Sequence, residues 1–435
     1  MLFRLLMAVI ACAGTLSVFA QTHNAEVPVI KIPNKTASAI KIAVAPFGTK
    51  ATQPAEFPFE QVISDDLSHS GRFAPVPPHE LPRTLTSASD IQLSRWTAKV
   101  DYLVVGDLTQ RSANRYLVQF RLFDVPQRKE LRALGYERTH VALRITAHDI
   151  ADEIYEAITG DPGAFSSRIA YITERGRIGA KRYALTVADS DGFNANVMLE
   201  SSQPIMSPAW SPDGSRLAYV SFEKHQAQIW VQELQTRRRF VVAQYPGING
   251  APAFSPDGTR LALTLSKDGN PEIYVLHLRT KRLRRLTNHP AIDTEPAWKP
   301  DGRAIVFTSD RSGSPQIYKI SANGGPSERV TFEGNYSAGA SYSPDGTRLA
   351  VVYGVAGGHS IAILDLDTQE VDVLTSTQLD DSPTFAPNGT MILYSTKRGG
   401  GNPAGLVAIT AAGDPAYRLE SGAYIVRDPA WGPRR

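Results

Sequence analysis

The chain has 435 residues, enough for two or three domains, and its composition is that of an ordinary globular protein, with 42% hydrophobic and 20% charged residues. A net charge of +3 is too small to hold nucleic acid by bulk attraction, so we predict no nucleic-acid partner. After the amino-terminal apolar run, no stretch is apolar for long enough to span a bilayer, so we predict no membrane span.

The first 20 residues predict a secretory signal peptide. Arg4 supplies the positive charge, residues 5–18 form the apolar run, and small residues near its end place cleavage after Ala20. The single cysteine, Cys12, lies inside this signal, so the exported chain is expected to fold without disulfides. An alternative is a lipoprotein signal, which would leave a lipid anchor on Cys12.

Residues 21–35 are apolar at several positions, but Pro28 and Pro33 interrupt them. Two interpretations remain open. The segment forms an edge strand of the following domain, or it is a mobile peptide that docks by strand addition on this chain or on a partner.

Residues 36–165 lack any repeat and predict a small α/β domain. Apolar, β-branched or alternating runs predict its strands, and an amphipathic pattern predicts its helices. The predicted strands are 40–47, 102–105, 116–125 and 136–143; the predicted helices are 59–69 and 147–159, and 76–82 is a proline-rich loop.

A turn motif of the form Ser-Pro-Asp-Gly recurs five times in the second half of the chain, and its successive prolines are 44, 44, 44 and 43 residues apart. This period is typical of propeller blades. The order of Ser, Pro and Gly predicts a type I turn inside a hairpin. The motifs begin at Ser211, Ser255, Lys299, Ser343 and Ala386.

The strand after each turn gives the number of blades. It begins at six places: Arg168, Arg216, Arg260, Arg303, Arg348 and Thr390. The first copy has no Pro-Ala-Trp segment before it, whereas one occurs at the end of the chain. Residues 166–435 therefore predict a six-bladed β-propeller in a mainly β protein, with the last strand closing the first blade.

The sequence carries no motif of a catalytic, metal-binding or cofactor-binding site, so we predict no catalytic residue, no metal site and no cofactor. A peptidase with a propeller would need a Gly-x-Ser-x-Gly motif, and residues 334–339 have the wrong spacing for it. Asp189-Ser190-Asp191-Gly192 resembles the start of a calcium loop, but Asn194 stands where such a loop needs glycine, so a hairpin turn is favoured. A cation in the propeller channel stays an open possibility.

The loops that lead into the Pro-Ala-Trp segments differ from one another and are expected to surround one end of the channel. Varied loops on a rigid scaffold are typical recognition sites, although some of these loops are expected to be plain connections. They cover residues 201–207, 245–250, 289–295, 333–339, 377–382 and 422–428.

The order of signal peptide, small α/β domain and six blades resembles the TolB family of periplasmic Tol-Pal proteins. Local runs resemble it as well: QPIMSPAWSPDG at 203–214, NGAPAF at 249–254, TEP at 294–296 and APNGTMI at 386–392. The resemblance implies a non-enzymatic, monomeric periplasmic scaffold that links the lipoprotein Pal to the TolA-containing inner-membrane complex. It also implies a role in outer-membrane integrity and in the invagination of that membrane at division, and other envelope proteins are possible further partners.

The resemblance carries two sets of candidate partner-binding residues onto this chain. The set facing Pal at the channel mouth is Met206, Ile248, Asn249, Thr294 and Glu295. The set facing TolA in the terminal peptide is Glu26, Val27, Val29 and Ile30. The family often has histidine where Ile248 stands, and this chain adds residues before Glu26. The alternative function is a propeller from a peptidase-like or small-ligand-binding secreted protein.

Overall fold

A computed structural model describes residues 39–81, 93, 96, 99–177, 179–377, 379–397, 405–419 and 425–435. The predicted signal peptide, its cleavage site after Ala20 and the terminal peptide lie outside the described residues. None of the described helices combines the length and the apolar character that a membrane crossing requires.

The amino-terminal domain is a mixed six-stranded sheet in the order β3-β1-β4-β5-β6, with β2 also paired to β4. The three pairs among β1, β2, β3 and β4 are parallel, and β4, β5 and β6 form an antiparallel meander. The strands are β1 (Ile40–Val44), β2 (Gly48–Lys50), β3 (Phe73–Pro75), β4 (Tyr102–Ser112), β5 (Arg115–Asp124) and β6 (Lys129–Arg138).

Two helices cover one face of this sheet, α1 (Phe59–His69) and α2 (Leu143–Thr159). Single 3-10 turns occur at Pro78–Glu80 and His140–Ala142. The predicted bounds of α1 are confirmed. The predicted strand 136–143 is wrong in its second half, because β6 loses its partner where β5 begins and the chain turns at His140–Ala142 into α2.

Six four-stranded antiparallel sheets follow and form the predicted propeller. The innermost strands contact one another in a closed ring. They are β10 (Ile205–Trp210), β14 (Asn249–Phe254), β18 (Asp293–Trp298), β22 (Ser337–Tyr342), β26 (Asp380–Phe385) and β30 (Ile425–Trp431).

The second strands of the blades are β7 (Arg168–Arg175), β11 (Arg216–Ser221), β15 (Arg260–Leu265), β19 (Ala304–Ser309), β23 (Arg348–Val355) and β27 (Met391–Thr396). The third strands are β8 (Arg182–Asp189), β12 (Gln228–Glu233), β16 (Glu272–His277), β20 (Gln316–Ser321), β24 (Gly358–Asp365) and β28 (Gly405–Thr410). The outer strands are β9 (Asn196–Ser201), β13 (Arg239–Ala243), β17 (Leu283–Arg285), β21 (Glu328–Arg329), β25 (Val371–Val373) and β29 (Pro415–Leu419).

The closure predicted from the sequence is confirmed. Strand β30 pairs antiparallel with β7, so the first blade combines the last strand of the chain with three early strands, in the order β30-β7-β8-β9. We call this blade one, and the sheets that begin with β10, β14, β18, β22 and β26 blades two to six. In a closed ring every blade packs between two others, and the inner edges that remain are short and line the channel.

The Ser-Pro-Asp-Gly segments form the tight turns predicted from their sequence. In blade two, the amide of Gly214 donates to the carbonyl of Ser211 at 2.9 Å, with Gly214 at φ 65°. The Ser211 hydroxyl donates to Asp213 at 2.5 Å and accepts from the amide of Arg216 at 2.9 Å. All five turns lie at one end of the channel, which we call the turn end.

Four joints between neighbouring blades share one construction. The arginine that begins a second strand places its guanidinium over the aromatic ring ending the innermost strand of the next blade, at 4.7 to 5.7 Å. In blade one, Arg168 also donates to the carbonyl of Gly214 at 2.6 Å. The arginine and ring pairs are Arg168 and Trp210, Arg216 and Phe254, Arg260 and Trp298, and Arg348 and Phe385.

The amino-terminal domain packs on the turn end of blades one and six. The ring of His69 lies 4.6 Å from that of Tyr417, and the Asn388 amide donates to the carbonyl of Pro162 at 3.0 Å. One continuous core joins both parts, and it includes Leu67, Ile154, Met391, Leu406 and Trp431. The opposite end of the channel, where the innermost strands begin, is the mouth.

Candidate partner-binding mouth of the propeller

Each innermost strand begins with the same backbone irregularity. Its pairing register with the second strand shifts within its first residues, for example between Met206 and Ala209. The residue at this bulge has a left-handed backbone, with φ between 44° and 60°, and five of the six are not glycine. These bulge residues are Ser207, Ala251, Glu295, Gly339, Ser382 and Asp428.

Two of the bulge residues are acids, and each ties its blade to the next. The Glu295 carboxylate accepts hydrogen bonds from the amide of Gly339 at 3.0 Å and the hydroxyl of Thr308 at 2.9 Å. On the opposite side of the ring, Asp428 accepts from the amide of Ser207 at 3.1 Å. The two carboxylates hold the mouth together across the joints between blades four and five and between blades one and two.

The first residue of an innermost strand anchors the loop that enters the blade. Asn249 is 1% exposed; its side-chain oxygen accepts from the amide of Tyr245 at 2.9 Å, and its amide donates to the carbonyl of Tyr245 at 2.7 Å. In blade six, Asp380 is 1% exposed and accepts from the hydroxyls of Thr375 and Thr377. The shape of the mouth therefore rests on buried polar side chains.

In blade four the anchor is a buried ion pair. The Asp293 carboxylate, which is fully buried, accepts two hydrogen bonds from the Arg311 guanidinium at 2.9 and 2.7 Å. The guanidinium carbon also lies 5.3 Å from the ring of Phe307 and 4.8 Å from that of Tyr318. Burial raises the pKa of Asp293, and the hydrogen bonds from Ser309 and Arg311 oppose that rise.

The five residues assigned to the mouth by sequence resemblance lie on three successive blades, two to four, at the same end of the channel. Met206, Ile248 and Glu295 are half-buried. Asn249 and Thr294 are buried, and the Thr294 hydroxyl lies 3.3 Å from that of Thr264 on β15. Asn249 therefore supports its loop and Thr294 contacts the preceding blade, whereas partner binding by the set stays a prediction.

Replacement of Asn249 by alanine is expected to destabilise the protein by about 1–3 kcal/mol, because it leaves the partly buried backbone amide and carbonyl of Tyr245 without this partner. Thermal unfolding would measure the loss, and hydrogen exchange would show it concentrated in residues 245–248. Gln244→Ala, at an exposed neighbouring position, is the control. Equal stability of the two variants would contradict this role for Asn249.

Sequence reasoning missed four residues that shape the mouth: Asp293, Arg311, Asp380 and Asp428. A signal for two of them was present. Asn249, Asp293 and Asp380 occupy the same place in blades three, four and six. Aligning the repeats position by position would have shown a recurrent short polar residue there. Glu26, Val27, Val29 and Ile30 lie outside the described residues, so their places stay predictions.

Comparison with known proteins gives one consistent result. A family model described as the TolB amino-terminal domain matches residues 28–131, and one described as the TolB beta propeller domain matches residues 155–435. A Tol-Pal system protein TolB from Nitrosococcus oceani is 58% identical over 408 residues, which cover 93% of each chain. Another from Xanthomonas campestris pv. campestris is 45% identical over 435 residues, covering 99% of this chain and 98% of the relative.

A solved structure extends the similarity to three dimensions. The crystal structure of TolB from Acinetobacter baumannii superposes with a TM-score of 0.83 at 40% sequence identity. The match covers 91% of the present chain and 97% of the crystallised one. The similarity therefore includes both the amino-terminal domain and the propeller.

Proposed function

The chain belongs to the TolB family of Tol-Pal system proteins, and we propose that within this system it is a non-enzymatic scaffold of the periplasm. In this proposal the propeller mouth binds the lipoprotein Pal at the outer membrane, and residues 21–35 bind TolA of the inner-membrane complex. The link maintains the outer membrane and its invagination during division. The protein acts as a monomer, after removal of its signal peptide behind Ala20.

One observation supports the mouth as the Pal site. The amino-terminal domain packs on the turn end of the ring, and the mouth at the other end presents Met206, Ile248 and Glu295 from adjacent blades. Two apolar side chains and a carboxylate at one end of successive blades suit a protein surface that brings an apolar side chain and a hydrogen-bond donor. The mouth thus lies at the end of the ring that the amino-terminal domain leaves uncovered.

The same geometry favours recognition over catalysis. The buried polar groups Asn249, Asp293 and Asp380 are engaged with the chain's own backbone or side chains, and their role is to fix the loops. A rigid, pre-organised rim loses little conformational entropy of its own when a partner binds. This is the property that a docking scaffold needs.

Charge reversal at Glu295 tests the proposal directly. We expect Glu295→Arg to weaken binding of the purified periplasmic part of Pal at least about tenfold, which corresponds to about 1.4 kcal/mol. Glu295→Gln keeps an acceptor for the amide of Gly339 and is expected to weaken binding less. Titration calorimetry would measure both affinities, and circular dichroism would verify that each variant is folded.

A matched control lies in the same blade at the turn end. Asp301 is exposed there, where its carboxylate accepts from the amide of Arg303 at 2.9 Å. Asp301→Arg makes the same change of charge, yet it is expected to leave Pal affinity within about twofold of the unmodified protein. Folded Glu295→Arg with unchanged affinity would show that Pal does not bind at this mouth.

A further inference from the structure

A cluster of buried charges lies where the amino-terminal domain meets blade one. The imidazole of His148, on α2, is fully buried; its Nδ1 lies 2.6 Å from a carboxylate oxygen of Asp66, on α1. Its Nε2 points across the domain boundary and lies 3.7 Å from a carboxylate oxygen of Asp191, in the turn between β8 and β9. One side chain thus faces a carboxylate of its own domain and one of the propeller.

The two arginines near this cluster each pair with a carboxylate of the propeller. Arg144, also on α2, binds the carboxylate of Asp191, and Arg435 binds that of Asp189 in the same turn. His148, Asp189 and Asp191 lie close together, but the two guanidinium groups beside these carboxylates oppose the binding of a metal cation. Among the described residues, Asp66 has His148 as its cationic partner and no guanidinium beside it.

The protonation state of His148 decides the sign of the contact between the domains. A protonated imidazole carries an N–H on both nitrogens, so it can face both carboxylates favourably. A neutral imidazole has one N–H, and when this N–H donates to Asp66 the other nitrogen turns a lone pair towards the carboxylate of Asp191, which Arg144 still binds. The contact across the boundary is then unfavourable.

We propose that protonated His148 is an electrostatic latch that holds the amino-terminal domain against blade one, and that loss of its proton releases this contact. The imidazole of His148 connects three elements: α2, which carries it, α1 through Asp66, and the turn after β8 through Asp191. The ring contact between His69 and Tyr417 and the shared apolar core lie beside it, so its release loosens the boundary without separating the domains completely.

The direction of the pH dependence follows from the surroundings of His148. Burial by itself would lower the pKa of His148, but Asp66, Asp191 and Asp189 outweigh burial and raise it to about 9. His69 on α1, whose pKa burial lowers, and Tyr417 on β29 also face the cluster. Burial also raises the pKa of Asp66, to about 6, so its carboxylate is charged at pH 7 and gains a proton in more acidic solution. The ion pair is therefore present near pH 7, and the contribution of protonated His148 is lost as the pH rises through about 9.

A double-mutant cycle between His148→Gln and Asp191→Asn isolates the contact across the boundary. The stability of the full chain and the three variants would be measured by urea unfolding at pH 7 and at pH 10. At pH 7 we expect a coupling equal to about a tenfold change in the unfolding equilibrium. At pH 10 we expect no favourable coupling, because the unmodified protein has then lost the proton and the lone pair of the imidazole faces the carboxylate of Asp191.

Two further measurements keep the test specific. His79→Gln, which replaces a histidine whose side chain is 79% exposed, is expected to leave the alkaline loss of stability unchanged. Hydrogen exchange of residues 189–194 at pH 7 is expected to rise in His148→Gln and not in this control. Absence of coupling at pH 7, or equal coupling at pH 7 and pH 10, would overturn the latch.

Discussion

Removal of residues 425–435 is expected to abolish cooperative folding of the propeller. These residues contain β30, the innermost strand of blade one, which pairs with β7 from Ile425 opposite Glu174 to Trp431 opposite Ile169. Without β30, the edge of β7 is exposed and can pair between molecules, and the surfaces of β10 and β26 that pack on β30 are uncovered. The truncated protein is expected to elute as aggregates and to show no sharp thermal transition.

Much of the stability that β30 contributes is expected to come from Trp431, its last residue. Trp431 is 7% exposed and belongs to the core shared by both domains, and its indole N–H donates to the hydroxyl of Ser167 at 2.8 Å. Trp431→Ala alone is therefore expected to cost about 3–5 kcal/mol. As a control, deleting only residues 434 and 435 keeps β30, so melting is expected to stay cooperative, although the buried carboxylates of Asp152 and Asp189 lose their arginines and the protein loses stability. Normal melting of the longer truncation would contradict ring closure by β30.

Replacement of Arg311 by methionine is expected to destabilise the protein by about 3–5 kcal/mol, because it leaves the carboxylate of Asp293 buried without its cation. Methionine keeps much of the length of the side chain, so the loss reports charge more than volume. Urea unfolding with an unchanged slope would measure the difference in the free energy of unfolding.

A second variant separates the buried charge from other effects of the replacement. Asp293→Leu combined with Arg311→Met removes both charges, so it is expected to be more stable than Arg311→Met alone. Circular dichroism and the same urea titration apply to both proteins. If Arg311→Met stays within about 0.5 kcal/mol of the unmodified protein, the ion pair does not support the rim of blade four.

The fold was largely predictable because its signals are local or periodic. The spacing of the Pro-Asp-Gly turns gave the blade count, and the missing Pro-Ala-Trp before Arg168 gave the closure. The junction after β6 was mispredicted, because Tyr136 to Leu143 carries an apolar pattern that suits a strand and a helix start equally well. Strand β6 ends opposite the start of its partner β5, so its length is set by β5 and not by its own sequence.

The mouth was only partly predictable. Resemblance placed five residues at one end of three blades, but it did not distinguish buried Asn249 and Thr294 from half-buried Ile248 and Glu295. That distinction depends on hydrogen bonds within folded loops. The pairing of Asp66 with His148 was beyond sequence reasoning for a similar reason, since 82 residues separate them and no motif connects them.

The repeated joint between blades also has a mechanical meaning. In the proposed function one partner binds the mouth at blades two to four. The other binds the segment that precedes the amino-terminal domain, and this domain packs on blades one and six. A pull between the two membranes would then run along the strands and pass from blade to blade through the stacked arginines and rings. Strand hydrogen bonds lie perpendicular to such a force, so many of them would share the load in shear rather than open one after another.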